Sequence, residues 1–421
     1  MNQRQYTASV QDMLRNLENV FKNQTGAPQT GPYSKEGLIL RTDNIIFRQA
    51  GDWRGQQVQV LSPLEELELI DELCIYLQEQ KHEYVRYRVF ETLFSTARDN
   101  ALEYRREILC RLVSLGVASK SAAVLECAAL WMKSCEKEHA SYLASALVTD
   151  YCTLQRNGVA ELKSCCNVSS RFCCVFMIAV TSKYNMLVKN NADEHESEKA
   201  SWPCAALLDV VQSWLMFDPA LCFCTATQMD KLWRTVLKAT QSMLDSLSLT
   251  PLDGLARWCV KSVFAPTTVN NTTSTQPRDE QPAENSETLH YQELHSRLHY
   301  AFLKALLASK PALKAIAKGS VLGNPDLQLW NKTEVHTLIG DLMALCDHSD
   351  LTPQSSSSEQ AAVDRFAQIA QIAMSMRVLN CTKDQFQSLS DPLPKTRLLE
   401  LVAYGPKRRN SSEETPMETG Y

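Results

Sequence analysis

The sequence predicts an all-α protein: antiparallel helix pairs in a HEAT-like solenoid or an irregular helical-repeat array, forming two helical bodies joined by a disordered linker. Three observations carry that reading. Apolar residues recur at helical spacing through most of the 421 residues. Gly (13) and Pro (16) fall below their usual shares of about 7% and 5%, so turns are few. Two helix-start signatures, at Ser62 and Thr250, punctuate the chain. A hydrophobic content of 44% with 22% charged residues is that of a folded chain and excludes disorder throughout.

The elements follow in order. Residues 1–61 hold a helix over 6–24, with Val10, Leu14, Leu17 and Phe21 on one face, and then a Gly- and Pro-rich irregular segment. The N-terminal helical body spans 62–264. It opens on Ser62-Pro63-Leu64-Glu65, with N-cap serine, proline at the first helical position and glutamate at the third. Helices are expected over 62–77, 83–97, 101–117, 121–134, 137–156 and 169–186. A polar, acidic loop covers 188–200, and helices resume from Trp202 to about Phe264. Thr250-Pro251-Leu252-Asp253 presents cap, proline and acid in the same order as Ser62.

Residues 265–286 contain almost no apolar side chains and read as a disordered linker. The C-terminal helical body spans 287–404. Leu294, Leu298, Phe302 and Leu306 mark one helix face there. A polar break at 347–358 precedes a helix over 359–378, and short helices cover 382–389 and 395–404. Residues 405–421 are disordered by composition. The helix spacing suits a repeat of about 40–47 residues, but no self-similar motif recurs.

Charge and motifs exclude several function classes. The net charge is −5, without a basic stripe, so direct nucleic-acid binding is not expected. The longest apolar run, 172–180, is nine residues against the ~20 that span a bilayer. The N-terminus lacks a signal-type apolar core, and a soluble, intracellular protein with fifteen reduced thiols is expected. Phosphate-binding glycine loops are absent. Cys127, Cys135, Cys152, Cys165, Cys166, Cys173 and Cys174 crowd one region, but adjacent pairs do not fit the spacing of a zinc knuckle. Cys127, Cys173 and Cys174 have apolar neighbours and read as core residues.

His295 and His299 are four apart on a helix, a spacing that suits metal. Ser296 stands where a metalloprotease helix has glutamate, so surface or interface histidines are expected. Arg86, Arg88, Arg105, Arg106 and Arg111 alternate with acidic residues and read as a solvated face. Trp131, Trp214, Trp233 and Trp258 are candidate contact residues on a binding surface, with Trp258 assigned to the core by its neighbours Leu255 and Val260. No catalytic, cofactor-binding or metal-binding residue emerges, and the chain reads as an interaction scaffold, not an enzyme.

Several ordered stretches resemble one family. They are VLECAALWM (124–132), ALVTDYC (146–152), SRFCCVF (170–176), LTPLDGLARWCVK (249–261), Leu294-His295, DRFAQIAQIAM (364–374), CTKD (381–384) and LLELVAYGP (398–406). Their order resembles that of the Integrator complex subunit 15 family; Cys165-Cys166 departs from its pattern. The resemblance implies a helical, non-catalytic subunit in the nucleus that helps join an arm module, with subunits ten, thirteen and fourteen, to the rest of the complex. It also implies roles in small nuclear RNA 3′-end processing and in attenuating RNA polymerase II transcription, without a cofactor. The other reading is a helical-repeat scaffold of a different nuclear or cytoplasmic assembly.

Overall fold

A computed structural model describes residues 3–22, 37, 42, 61–96, 102–186, 202–240, 247–265, 284–318, 329–347 and 353–405. Among these residues the regular structure is helical, and the nearest thing to a sheet is an isolated parallel bridge between Trp330 and Leu379. The all-α class is therefore the observed one. The acidic loop 188–200, most of the 265–286 linker and nearly all of the tail lie outside the described residues, as does the irregular segment after the first helix apart from residues 37 and 42.

The first helices are α1 (Gln3–Lys22), α2 (Pro63–Glu79), α3 (Glu83–Leu93), α4 (Leu102–Ala118), α5 (Ala122–Ser134) and α6 (Lys137–Val148). Helix α2 starts as its sequence demands: the Glu65 amide donates to Ser62 Oγ at 3.4 Å and Glu65 Oε2 accepts the Ser62 amide at 3.1 Å. The helix expected over 137–156 changes character at Thr149. A π-helical turn, Thr149–Leu154, replaces its last part, and a separate α7 (Gly158–Ser164) follows. Gly158 makes that junction possible, because a Cβ there would lie 2.3 Å from the Tyr151 carbonyl oxygen.

Helix α8 (Ser170–Met186) packs on α5 and α6. It carries the nine-residue apolar run; Phe172–Val180 is buried because helices surround it, which removes the need for a polar face. Cys173 and Cys174 are fully buried within it, and Cys127 is buried in α5, in line with the core reading. We expect Cys173→Ala to cost about 1 kcal/mol through lost packing, measured by urea unfolding.

Next come α9 (Ala205–Phe217), α10 (Cys224–Thr227), α11 (Lys231–Thr240) and α12 (Leu252–Lys261). Thr250 does not cap α12. Its hydroxyl donates instead to the Leu329 carbonyl at 3.1 Å, and Pro251 occupies the N-cap without a side-chain bond. Gly254 lets α12 close on α8, since a Cβ there would stand 2.1 Å from Thr181 Oγ1.

The C-terminal helices are α13 (Glu284–Leu307), α14 (Ser309–Lys318), α15 (Lys332–Asp347), α16 (Pro353–Ser375), α17 (Lys383–Ser390) and α18 (Arg397–Tyr404). Helix α16 begins at Pro353, so the four serines 355–358 are helical and not part of a break; proline suits the first helical turn, where its missing N–H has no partner to lose. Thr382 and Gln385 cap α17 reciprocally.

Helix α13 lies along α9, while α12 contacts α8 on one side and α13, α15 and α16 on the other. One contiguous apolar core runs from Tyr6 to Ala403. No single described helix is long and apolar enough to cross a membrane.

Candidate functional site

The densest polar construction is the junction around α12. Asp253, Arg257 and Lys261 recur every four residues and fall on one face. Arg257 is buried and reaches three groups. Its Nε donates to Asp253 Oδ2 at 2.7 Å, Nη1 pairs with Asp341 of α15, and Nη2 donates to the Glu334 carbonyl at 3.2 Å. Lys261 Nζ joins Asp341 at 3.3 Å, and burial pulls its pKa down. Trp330 Nε1 donates to Asp253 Oδ1 at 3.4 Å. Arg365 of α16 donates to the Cys259 carbonyl at 3.0 Å and pairs with Ser262 Oγ. Burial raises the Glu334 carboxyl to about 7, although the Asn331 amide at 2.9 Å favours its ionised form. Arg257, Lys261, Arg365, Asp253 and Asp341 each meet an opposite charge or a carbonyl, which suits a permanent joint.

The histidine pair lies beside this joint. His295 and His299 are buried, 3% and 9% exposed, so they are not surface residues. Both His295 ring nitrogens and His299 Nε2 lack a hydrogen-bond partner. The edge of the His295–Tyr291 pair is T-shaped at 4.6 Å between centroids. Burial first, and the Arg365 charge second, hold each imidazole down to about 4. Among the described residues no group of three or more His, Cys, Asp or Glu could hold a metal ion.

The arginine-rich stretch differs from its sequence reading. Arg105 is buried and donates to the Leu93 carbonyl, Arg106 pairs with His139, and Arg111 pairs with Glu66. These residues tie helices together through partners other than the interleaved acids, although Arg111 remains half exposed. Lys133 was invisible in sequence: it is buried, donates to the Leu247 and Ser248 carbonyls, and burial lowers its pKa to about 8. Trp131, Trp214, Trp233 and Trp258 are all buried, so none is a surface anchor. Trp214, for instance, donates to the Lys163 carbonyl at 3.0 Å and meets Phe176 edge-on.

A small pocket opens between α3, α5, α8 and α11, lined by Arg86, Glu126, Arg171, Asp230 and Trp233. Arg171 fills its floor: Nε meets Glu126 at 2.8 Å, Nη1 meets Asp230 at 2.6 Å, and the guanidinium stacks 5.2 Å from the Trp233 ring centre. Its principal cation is thus already paired. Exposed apolar side chains include Tyr300 and Leu307, one face of α13, and Phe217 at the end of α9; Lys304 donates to the adjacent Met216 carbonyl at 3.2 Å.

Comparison with known proteins gives a consistent result. The family described as Integrator complex subunit 15 matches residues 1–395. The chain is similar to Integrator complex subunit 15 of Mus musculus, 31% identical over 415 residues covering 97% of this chain and 86% of the relative. The Homo sapiens protein of that description is 30% identical over 416 residues, with the same coverage of 97% and 86%. The Drosophila melanogaster protein is 27% identical over 390 residues, 89% of each chain.

Proposed function

The chain belongs to the Integrator complex subunit 15 family, and on that premise we propose that it is a non-catalytic scaffold subunit of the Integrator complex in the nucleus. In this reading it helps join an arm module with subunits ten, thirteen and fourteen to the rest of the complex. It thereby supports small nuclear RNA 3′-end processing and attenuation of transcription by RNA polymerase II. The observation that carries the reading is similarity over nearly the whole chain to proteins described as subunits of that complex. Its physical support is a continuous helical core whose buried charges are directed inward at one another, leaving the helix surfaces for protein contacts. The bodies 62–264 and 287–404 act as one scaffold, with any repeat of helix pairs serving only to extend its surface.

Depletion tests this role. We expect 3′-extended small nuclear RNA precursors to accumulate, and the full chain to restore processing. Unchanged precursor levels after complete depletion would contradict it.

A further inference from the structure

The chain carries 48 acidic residues, yet no Asp or Glu occurs from 294 to 325, where Arg297, Lys304, Lys310, Lys314 and Lys318 all lie. Residues 294–318 of that stretch form the C-terminal part of α13 and all of α14. Large apolar side chains stand out from the same region. Tyr300 and Leu307 are 63% and 51% exposed, and Phe217, at the end of α9, is 69% exposed. Tyr300, Lys304 and Leu307 are spaced four and three apart and share one face of α13. Helices α9 and α13 run parallel. Tyr291 donates to the Pro203 carbonyl at 2.9 Å at one end, and Lys304 donates to the Met216 carbonyl at 3.2 Å at the other, which sets Phe217 beside Lys304. The turn after it, Pro219–Phe223, packs against both α13 and α14.

Helix α14 turns its lysines outward. Ser309 and Ala312 are buried, and Leu313 and Ile316 pack on the core, while Lys310 and Lys314, four apart, are exposed. Neither lysine has an ion-pair partner among the described residues. The acids nearest the ridge are engaged. Glu293 pairs with Arg297 at 2.5 Å, and the Asp218 carboxylate accepts the Ala220 amide at 3.0 Å. An exposed apolar ridge therefore runs beside cations that nothing local neutralises.

We propose, on the premise of the scaffold role above, that this surface docks an amphipathic helix of a partner protein whose apolar face is bordered by Asp and Glu. Tyr300 and Leu307 are seven residues apart, about 10 Å along the axis, which matches apolar residues two turns apart on the incoming helix. Those two side chains and Phe217 take its apolar face, and Lys310 and Lys314 meet its carboxylates. A nucleic acid fits less well. Arg297 and Lys304 are already engaged, which leaves few cations for phosphates, and Leu307 offers no ring for a base to stack on.

The test applies a zero-length carboxyl–amine coupling reagent to the tagged full chain, purified with its assembly from nuclear extract, and reads the links by mass spectrometry. We expect Lys310 or Lys314 to be joined to Asp or Glu within one acidic, amphipathic segment of a co-purifying subunit. That segment, made as a peptide, is then the probe. Its Kd for the full chain should rise at least about tenfold with Lys310→Glu/Lys314→Glu and with Leu307→Ser, and stay within about twofold with Lys310→Arg/Lys314→Arg. All three side chains are exposed, so thermal unfolding should be unchanged in each variant. Links from these lysines only within the chain, or equal peptide affinity across the variants, would overturn the docking surface even where recovery of Integrator subunits upholds the scaffold role. Ultraviolet crosslinking of RNA to Tyr300 or Phe217 in the same preparation would overturn it too. A chain recovered alone would defeat the scaffold role, and this surface with it.

Discussion

Replacing Arg257 by alanine should lower stability by about 3–5 kcal/mol and loosen the joint of α12 with α15. The side chain is 9% exposed and compensates two acids, Asp253 and Asp341, which are themselves largely covered. Removing it leaves Lys261 as the cation facing Asp341, at 3.3 Å. Two negative charges then share one buried cation, and the Glu334 carbonyl loses a donor. The cost reflects stranded partners, since a buried pair replaced whole by apolar groups is often neutral. Urea unfolding gives the first readout. Proteolytic nicking within 265–286 gives the second: the halves of the unmodified chain should stay together, because α13 lies on α9 and α12 contacts α15 and α16. The Arg257→Ala halves should separate at lower urea. A loss below about 1 kcal/mol, typical of exposed pairs, would show that the joint depends on apolar packing alone.

The second large effect is with pH. His295 and His299 titrate near 4 in the folded protein against an ordinary 6.5. A lowered folded pKa means that, below 6.5, the unfolded chain binds protons that the folded chain refuses. Their contribution is therefore fully present above pH 6.5 and is lost as pH falls toward 4, at most about 3 kcal/mol for each histidine. Glu334 works in the opposite direction, because burial raises it to about 7 and acidification favours its folded, neutral form. The comparison that isolates the histidines is therefore between the unmodified chain and His295→Leu/His299→Leu. The variant should lose markedly less stability between pH 6.5 and 4. At neutral pH it should be no less stable, because it removes buried nitrogens that have no partner. Parallel stability curves for the two proteins would contradict the assignment.

How much of this was legible in the sequence depended on the range of the forces involved. Helix class and approximate span were readable because apolar spacing is a local signal, as in Phe172–Val180. The Ser62 start was readable because its capping partner is three residues away. Thr250 carried the same local pattern but bonds Leu329, so a distant carbonyl took its hydroxyl. The left-handed residues that close two helices are Lys120 (φ 55°) and Arg377 (φ 61°), where the usual signal is glycine; the first end, at Ala118, was still read to within one residue, and the second, at Ser375, was placed three residues late. At Lys120, the Ser121 amide reaches the Gly116 carbonyl at 2.9 Å and closes the turn despite the side chain.

The α12 junction was half visible. The four-residue repeat of Asp253, Arg257 and Lys261 was there to be read, whereas Asp341 lies 84 residues from Arg257 and only the fold brings it near. Trp131, Trp214 and Trp233 failed as surface candidates for a similar reason: residue type names the interaction energy, and burial depends on which helices surround it; Trp258, read as core from its neighbours, is buried.

The claim that this chain is an assembly subunit is tested most directly by tagging the full protein, purifying it from nuclear extract at physiological salt and identifying what accompanies it. Integrator subunits should be recovered in near-stoichiometric amounts, with subunits ten, thirteen and fourteen persisting longest as salt is raised. A protein recovered alone, or with the subunits of a different assembly, would contradict the account.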